Sequence, residues 1–130
     1  MARDLNRKIG DMEFDGLITD LNPPVQTRGG LLSRRTAATV WPRGTILARH
    51  ATNGRLFPLG TTGEGALTPH SILCDDTNIL TTGEVSTVVY TAGCFHPNKV
   101  TAASGYVITE TDLDNLRMRN IVFKLPHKEA

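Results

Sequence analysis

Residues 84–95 (EVSTVVYTAGCF) carry the most regular alternation of hydrophobic and polar positions in the chain. They are rich in β-branched and aromatic side chains, and apolar residues occur on both sides of the alternation. A strand that is covered on both faces has this pattern, whereas a surface helix would repeat its apolar residues every three to four positions. We therefore predict a long β-strand over residues 84–95.

A second pattern, two apolar runs around a turn pair, predicts a β-hairpin over residues 43–59. Residues 45–48 and 56–57 form the apolar runs, and Asn53-Gly54 stands between them. An Asn-Gly pair in this setting is the strongest short-range signal for a hairpin, because both residues tolerate a positive φ angle.

Shorter runs predict the remaining strands. Residues 25–40 contain Gly29-Gly30 and a β-branched run, which indicates one or two short strands with a turn. Residues 71–74 predict a strand that runs into a polar turn at Asp75-Asp76, and residues 121–125 predict a last strand. The expected total is about six to eight short strands.

One helix is predicted, over residues 112–120. Two overlapping starts, Thr109-x-x-Asp112 and Thr111-x-x-Asp114, have the spacing of a capping box, in which a hydroxyl and a carboxylate satisfy free backbone N–H groups. Acidic residues in the first turn and arginines in the last suit the helix dipole. Asn120 suits the left-handed conformation that often ends a helix.

Residues 1–24 are predicted to form an extended amino-terminal arm, and residues 25–130 a compact β-rich domain. The arm has mixed charge and ends in Asn22-Pro23-Pro24, which favours an extended path. The apolar residues of the arm are Met12, Phe14, Leu17, Ile18 and Leu21. Such a segment packs on its own domain, packs on another chain, or frays. We predict packing on another chain.

Length, composition and charge limit the classes of function. The 130 residues suit one domain with a modest core. A net charge of +1 with 21% charged residues gives no electrostatic reason to expect a nucleic-acid partner. Apolar runs are too short for a transmembrane helix, and the charged start lacks the apolar stretch of a secretory signal, so we expect no membrane partner. Cys74 and Cys94 are expected to be buried free thiols made in a reducing cytoplasm.

Candidate catalytic and metal-ligating residues are few. Asp75-Asp76 could bind a metal or divide acid and base roles, but its Thr-Asn neighbours are typical of a turn. Cys94 and His96 fall on the same side of the predicted strand, without a third group to orient the histidine. The glycine-rich residues 60–65 lack the Lys-Ser/Thr of a phosphate-binding loop. We therefore predict no catalytic site, no metal site and no cofactor.

In their order along the chain, these segments resemble the lambda-type bacteriophage head decoration proteins. The resemblance extends over residues 15–124 and departs from the family pattern in the loop at residues 63–69. It rests on an ordered set of segments: DGLI at residues 15–18 with VQT at 25–27, PRGTIL at 42–47, GRLFPL at 54–59, the strand at 69–76, the valine-rich strand at 85–95, and the closing helix and strand at 113–124.

The resemblance implies a mainly β, β-clip-like fold and a viral structural role without enzymatic activity. Proteins of this family bind as homotrimers to the outer surface of the expanded icosahedral capsid, at local three-fold positions, and stabilise the shell against internal DNA pressure. The expected partners are therefore the major capsid protein and further copies of the chain itself. The expected location is the outside of the virion, after synthesis in the cytoplasm of a bacterial host.

Within this interpretation, capsid contacts are predicted on the arm and on an arginine pair. The predicted contact residues are Met12, Phe14, Leu17, Ile18, Leu21, Arg34 and Arg35. The arm would add a strand to the capsid protein, and the arginines would either meet an acidic surface or stay solvated. An alternative function is a β-clip carbohydrate-binding or enzyme-appended binding module, because the Gly44-Thr45-Ile46-Leu47 segment fits such modules as well.

Overall fold

The computed structural model describes residues 16–125, which form a mainly β structure with one short helix, as the sequence predicts. In this range the elements are β1 (Ile18–Asp20), β2 (Gln26–Leu32), β3 (Thr39–Trp41), β4 (Ile46–His50), β5 (Leu56–Pro58), β6 (Leu67–Leu73), β7 (Thr77–Ile79), β8 (Val85–Phe95), α1 (Glu110–Arg117) and β9 (Ile121–Phe123). The peptide bond between Asn22 and Pro23 is cis.

The longest strand, β8, confirms the strand predicted over residues 84–95 and pairs with four others. Along one edge it lies antiparallel to β2 over residues 85–92 and then to β1 at residues 94–95. Along the other edge it pairs with β6 at residues 89–90 and with β9 at residues 93–95. Because both of its edges are used, β8 is the strand through which the rest of the sheet is joined.

Five strands close into a small barrel. β8 pairs with β2, β2 with β5, β5 with β4, β4 with β6, and β6 returns to β8. β2 and β5 pair only where Leu32 lies opposite Leu56, so the barrel wall is open beside the rest of β2. β1 and β9 lie outside the barrel, on the carboxyl-terminal end of β8.

Each barrel strand contributes one apolar side chain to a layer inside the barrel. This apolar layer consists of Leu32, Leu47, Leu56, Leu73 and Val89. Trp41 of β3 and Ile79 of β7 pack in the same cluster, so the two-stranded β3–β7 sheet covers one end of the barrel. Apolar area removed from water stabilises a fold by about 25 cal/mol per Å². The layer therefore holds the five strands together from within.

The opposite faces of β4, β6 and β8 build a second core with the two ends of the described chain. Ile46 and Ile72 lie in it together with Phe95 of β8, Leu116 of α1 and Ile121 of β9. All five side chains are fully buried. Alternate residues of the same strands thus serve two cores, which explains why residues 84–95 carry apolar side chains on both sides of the alternation.

The boundary between arm and domain lies earlier than the predicted one at residue 24. β1 pairs with β8, and both Leu17 and Ile18 are buried in the second core. Residues 17–20 are therefore part of the β domain, because their apolar side chains are covered by the domain itself. The predicted arm otherwise falls mainly on residues 1–15, outside the described residues.

The predicted hairpin is confirmed. β4 and β5 are antiparallel, and Gly54 in the turn has a φ of 74°. The Arg55 N–H donates to Asn53 Oδ1 at 2.9 Å, which closes the turn with a side chain. Two other details differ from the prediction: Gly29-Gly30 lies within β2, and the Asp75-Asp76 turn is followed by β7.

The helix α1 begins at Glu110, two residues before the predicted start. Thr109 is the N-cap: its Oγ1 accepts from the Asp112 N–H at 3.1 Å, and Asp112 Oδ2 accepts from the Thr109 N–H at 3.1 Å. The first of the two overlapping capping boxes is thus the one that forms. Asn120 has a φ of 70°, as predicted for a residue that ends a helix.

Replacing Gly60 with alanine is expected to destabilise the domain by more than the same change at Gly63. Both glycines have a positive φ, 93° and 81°, so alanine costs about 1–2 kcal/mol in backbone strain at either position. A Cβ at Gly60 would collide with the Tyr106 ring, whereas nothing lies within 4 Å of one at Gly63. The collision adds about 1–3 kcal/mol. Urea unfolding of the two variants measures the difference, and equal losses would contradict it.

Candidate functional site

Three strands at the end of β8 form a surface that we call the terminal sheet: β1, residues 93–95 of β8, and β9. Both ends of the described chain leave from it, and Lys124 Nζ lies 3.7 Å from Asp20 Oδ2. The next residues, Leu21 and Leu125, are 70% and 65% exposed. An exposed ion pair stabilises little. What distinguishes this surface is therefore a pair of exposed apolar side chains, Leu21 and Leu125, that follow its outer strands.

A shallow groove borders the terminal sheet. It has a volume of about 250 Å³ and is lined by Leu113, Arg117, Val122 and Phe123 among others. Leu113 and Leu116 are three positions apart on α1 and share a helix face, but only Leu116 is buried, and Leu113 is 37% exposed. The helix therefore presents an apolar side chain to the groove and not only to the core.

The arm residues that the sequence predicts as capsid contacts fall into three groups. Met12 and Phe14 lie outside the described residues. Leu17 and Ile18 are buried, and the Leu17 carbonyl accepts from the His96 N–H at 2.7 Å. For these two, packing on their own domain replaces the predicted contact with another chain. Of the predicted arm contacts that fall within residues 16–125, Leu21 is the one whose side chain is exposed.

The arginine pair lies far from the terminal sheet. Arg34 and Arg35 follow β2, whose last residue is opposite Val85, while Ile18 is opposite Phe95. Ten residues of strand separate these positions, which is about 33 Å. Arg35 Nη1 lies 3.2 Å from Glu64 Oε2, and its guanidinium lies over the Phe57 ring. The structure therefore does not bring the arm and the arginine pair into one site.

The Cys94–His96 pair does not form a nucleophile and base in this structure. Cys94 is fully buried, with its Sγ 3.4 Å from Thr19 Oγ1. His96 Nδ1 accepts from the Asn98 N–H at 3.0 Å, so it organises the turn after β8. His50 has the same role in the β4–β5 turn, where its Nδ1 accepts from the Thr52 N–H at 3.1 Å.

Cys74 lies in a polar arrangement centred on Arg43. Arg43 Nη1 donates to the Cys74 carbonyl at 2.8 Å and to the Tyr90 hydroxyl at 2.7 Å. Burial, followed by the charge of Asp75, raises the pKa of the Cys74 thiol to about 12. The Cys74 N–H donates to the Val88 carbonyl. Val88 lies six residues before Cys94 on β8, so the two cysteines are separated by about 20 Å along this strand.

Asp75-Asp76 serves a turn. Asp76 Oδ1 accepts from the Arg43 N–H at 2.7 Å, and the Asp75 carbonyl accepts from Thr77 Oγ1 at 2.9 Å. Within residues 16–125, no three His, Cys, Asp or Glu side chains are grouped so that they could hold a metal ion. The same part of the chain contains no helix that is long and apolar enough to cross a membrane.

An arginine cluster that the sequence did not predict lies at the open side of the barrel. Arg28 of β2, Arg49 of β4 and Arg119, which follows α1, line one cavity of about 430 Å³ together with His70 of β6. We call this cavity the barrel mouth. Burial, followed by the charges of Arg119, Arg49 and Arg28, lowers the pKa of His70 from its ordinary value of 6.5. The barrel mouth is therefore a strongly cationic site.

Strand alternation is the sequence signal that could have located two of these arginines. Side chains two or four positions apart on a strand share a face. Arg28 stands four positions before Leu32, and Arg49 two positions after Leu47, so both continue the face that carries the apolar layer. No sequence pattern connects Arg119 with them, because it comes from a distant segment.

No protein-family model matches this chain, and none of the curated proteins matches it either. Function must therefore be inferred from the residues and the surfaces described above.

Alanine at Leu17 is expected to destabilise the domain, and alanine at Leu21 is not. Leu17 is 1% exposed in the second core, where removing a leucine side chain costs about 2–5 kcal/mol. Leu21 is 70% exposed, and changes at such positions stay within about 0.5 kcal/mol. Urea unfolding monitored by circular dichroism compares the two. If Leu17→Ala hardly changed the free energy of unfolding, residue 17 would belong to the arm and not to the core of the domain.

Both cysteines are expected to resist thiol reagents in the folded protein. With a pKa of about 12, roughly one Cys74 thiol in ten thousand is ionised at pH 8, and only the thiolate reacts. Cys94 is fully buried, so reagents cannot reach it. Labelling at pH 8 should be slow without denaturant and should reach two thiols per chain in guanidinium. Rapid labelling of the folded chain would contradict this environment.

Proposed function

We propose that this chain is a bacteriophage head decoration protein, a structural protein that binds the outside of an expanded capsid as a trimer. The observation that carries the proposal is the ordered set of sequence segments that resemble this family. Those segments coincide with the scaffold of the domain: the hairpin is β4–β5, the valine-rich strand is β8, and the closing segment is α1 and β9. The mainly β fold with one short helix agrees with what the resemblance implies.

The capsid contact that we propose begins at the terminal sheet and continues into residues 1–15. The segment that contains Met12 and Phe14 directly precedes β1 in the sequence, and the buried Leu17 and Ile18 anchor β1 to the domain. Leu21 and Leu125 add exposed apolar area beside it. Apolar side chains that are uncovered in the free protein stabilise a complex when a partner removes them from water.

Arg34 and Arg35 are proposed as a separate, weaker contact. They lie about 33 Å from the terminal sheet, counted along β8, and Arg35 is already paired with Glu64. Two contacts at opposite ends of one domain suit a protein that bridges neighbouring capsid subunits. A trimer would present three copies of each, so that many weak contacts act together through their high effective concentration.

The carbohydrate-binding alternative has less support. The large exposed hydrophobic side chains in residues 16–125 are leucine, valine and methionine, none of them aromatic. Sugar rings stack on exposed aromatic side chains, and the most exposed large side chains of this part of the chain do not provide such a platform.

The proposal predicts saturable binding to expanded heads that lack a decoration protein, assembled from the major capsid protein encoded in the same genome. Full-length chain should co-sediment with these heads at a fixed ratio and raise the temperature at which they disrupt. Met12→Ala with Phe14→Ala should weaken binding by about tenfold or more, because each apolar anchor stabilises the contact by about 1.5–3 kcal/mol. Val107→Ala, which changes a loop side chain that is 80% exposed, is the matched control and should bind normally.

Three results would contradict the proposal. The first is a full-length, folded chain that does not co-sediment with the heads. The second is an equal loss of binding in the Val107→Ala control. The third is specific binding to a glycan array without binding to heads, which would favour the alternative.

A further inference from the structure

The barrel mouth is the polar continuation of the apolar layer. Arg49 follows Leu47 by two positions on β4, Thr91 follows Val89 by two on β8, and both line the cavity. Side chains on one strand face follow each other at this spacing. One end of the barrel is thus filled by apolar side chains and covered by β3–β7, while the other end opens to solvent through charged and polar side chains. Barrel mouths of this kind are frequent ligand sites.

Two glycines keep the mouth open. Gly30 of β2 and Gly54 of the hairpin turn both line the cavity. A Cβ at Gly30 would approach Leu56 Cδ1 to 2.8 Å, and one at Gly54 would approach the Arg49 guanidinium to 3.1 Å. Side chains at these positions would fill the cavity or displace Arg49. The cavity of about 430 Å³ has the size of a small-molecule pocket.

The arginines of the mouth are not neutralised by the protein. Among residues 16–125, no aspartate or glutamate lines the cavity, and none lies within salt-bridge distance of Arg28, Arg49 or Arg119. Other arginines of this domain are paired, such as Arg35 with Glu64 and Arg117 with Asp114. Three guanidinium groups around one cavity repel each other, and a ligand with negative charge would relieve that repulsion.

Hydrogen-bonding capacity is also unused here. Within residues 16–125, His70 Nδ1 is buried and has no hydrogen-bond partner, and His70 lines the cavity. Buried polar atoms are normally satisfied, so this nitrogen is free to bond a ligand held at the mouth.

We propose that the barrel mouth binds a compact oxyanion with at least two negative charges, held by Arg28, Arg49 and Arg119 with His70 beside them. The guanidinium fork matches the oxygens of carboxylate and phosphate groups and can donate two hydrogen bonds to each. The three arginines come from β2, β4 and the segment after α1, so a bound anion would also join three separate segments of the domain. This inference is independent of the proposed capsid role.

The test is calorimetric titration of the full-length chain with pyrophosphate and with citrate, in chloride buffer at constant ionic strength. We expect one site per chain and a higher melting temperature in the presence of the anion. Arg49→Gln and Arg119→Gln should each weaken binding roughly tenfold, which is the effect of losing one charge-assisted hydrogen bond. Tighter pyrophosphate binding would identify a phosphate ligand, and tighter citrate binding would identify clustered carboxylates.

Lys99→Gln is the matched control, since it removes one exposed positive charge at a residue that does not line the mouth. It should leave the affinity unchanged. Without ligand, Arg49→Gln and Arg119→Gln should melt at the same or a higher temperature than the unaltered chain, because repulsion is reduced. A lower melting temperature would mean that the arginines serve the fold, which would overturn the proposal.

A second readout follows the His70 imidazole by NMR. The groups that face it are Arg119, Arg49 and Arg28, and they lower its pKa together with burial. A bound anion opposes these charges, so the pKa of His70 should rise on saturation and affinity should increase as the pH falls through that range. No binding of either anion at millimolar concentration, equal weakening by Lys99→Gln, or an unchanged His70 titration would each overturn the proposal.

Discussion

The double pairing of β8 is the constraint on which the rest of this structure depends. One edge receives β2 and β1, and the other receives β6 and β9, so the barrel and the terminal sheet share a single strand. Its alternate side chains also serve both cores: Val89 belongs to the apolar layer and the next residue, Tyr90, to the second core. A change in the register of β8 would therefore disturb both cores together.

Local signals predicted the local structure well. Asn53-Gly54 predicted the hairpin because the turn conformation depends on those two residues alone, and Thr109 with Asp112 predicted the helix start for the same reason. β1 was assigned to an arm because nothing in its own sequence reveals that it pairs with a strand about 75 residues later. The barrel mouth was missed for a similar reason: its arginines come together only once the barrel has closed.

The distribution of charge matters more in this protein than its total. A net charge of +1 gives no reason to expect an anionic partner, yet three arginines that have no carboxylate partner among residues 16–125 share one cavity. Acidic residues elsewhere, such as Glu64, Glu84 and Asp114, are paired with other arginines and leave the total near zero. A summed charge describes long-range attraction, whereas a folded surface can concentrate one sign of charge in one place.

The position of β8 late in the chain has a consequence for how this protein folds. β1, β2 and β6 all precede it and need it as a partner, and Thr19 meets Cys94 across 75 residues of sequence. Contacts so distant in sequence make folding slow, because the entropy of closing a long loop is lost before the strand pairing stabilises the structure. During synthesis, β1, β2 and β6 would lack their partner strand until β8 has left the ribosome. We expect the domain to fold in one late step, after β8 has been synthesised, and not strand by strand.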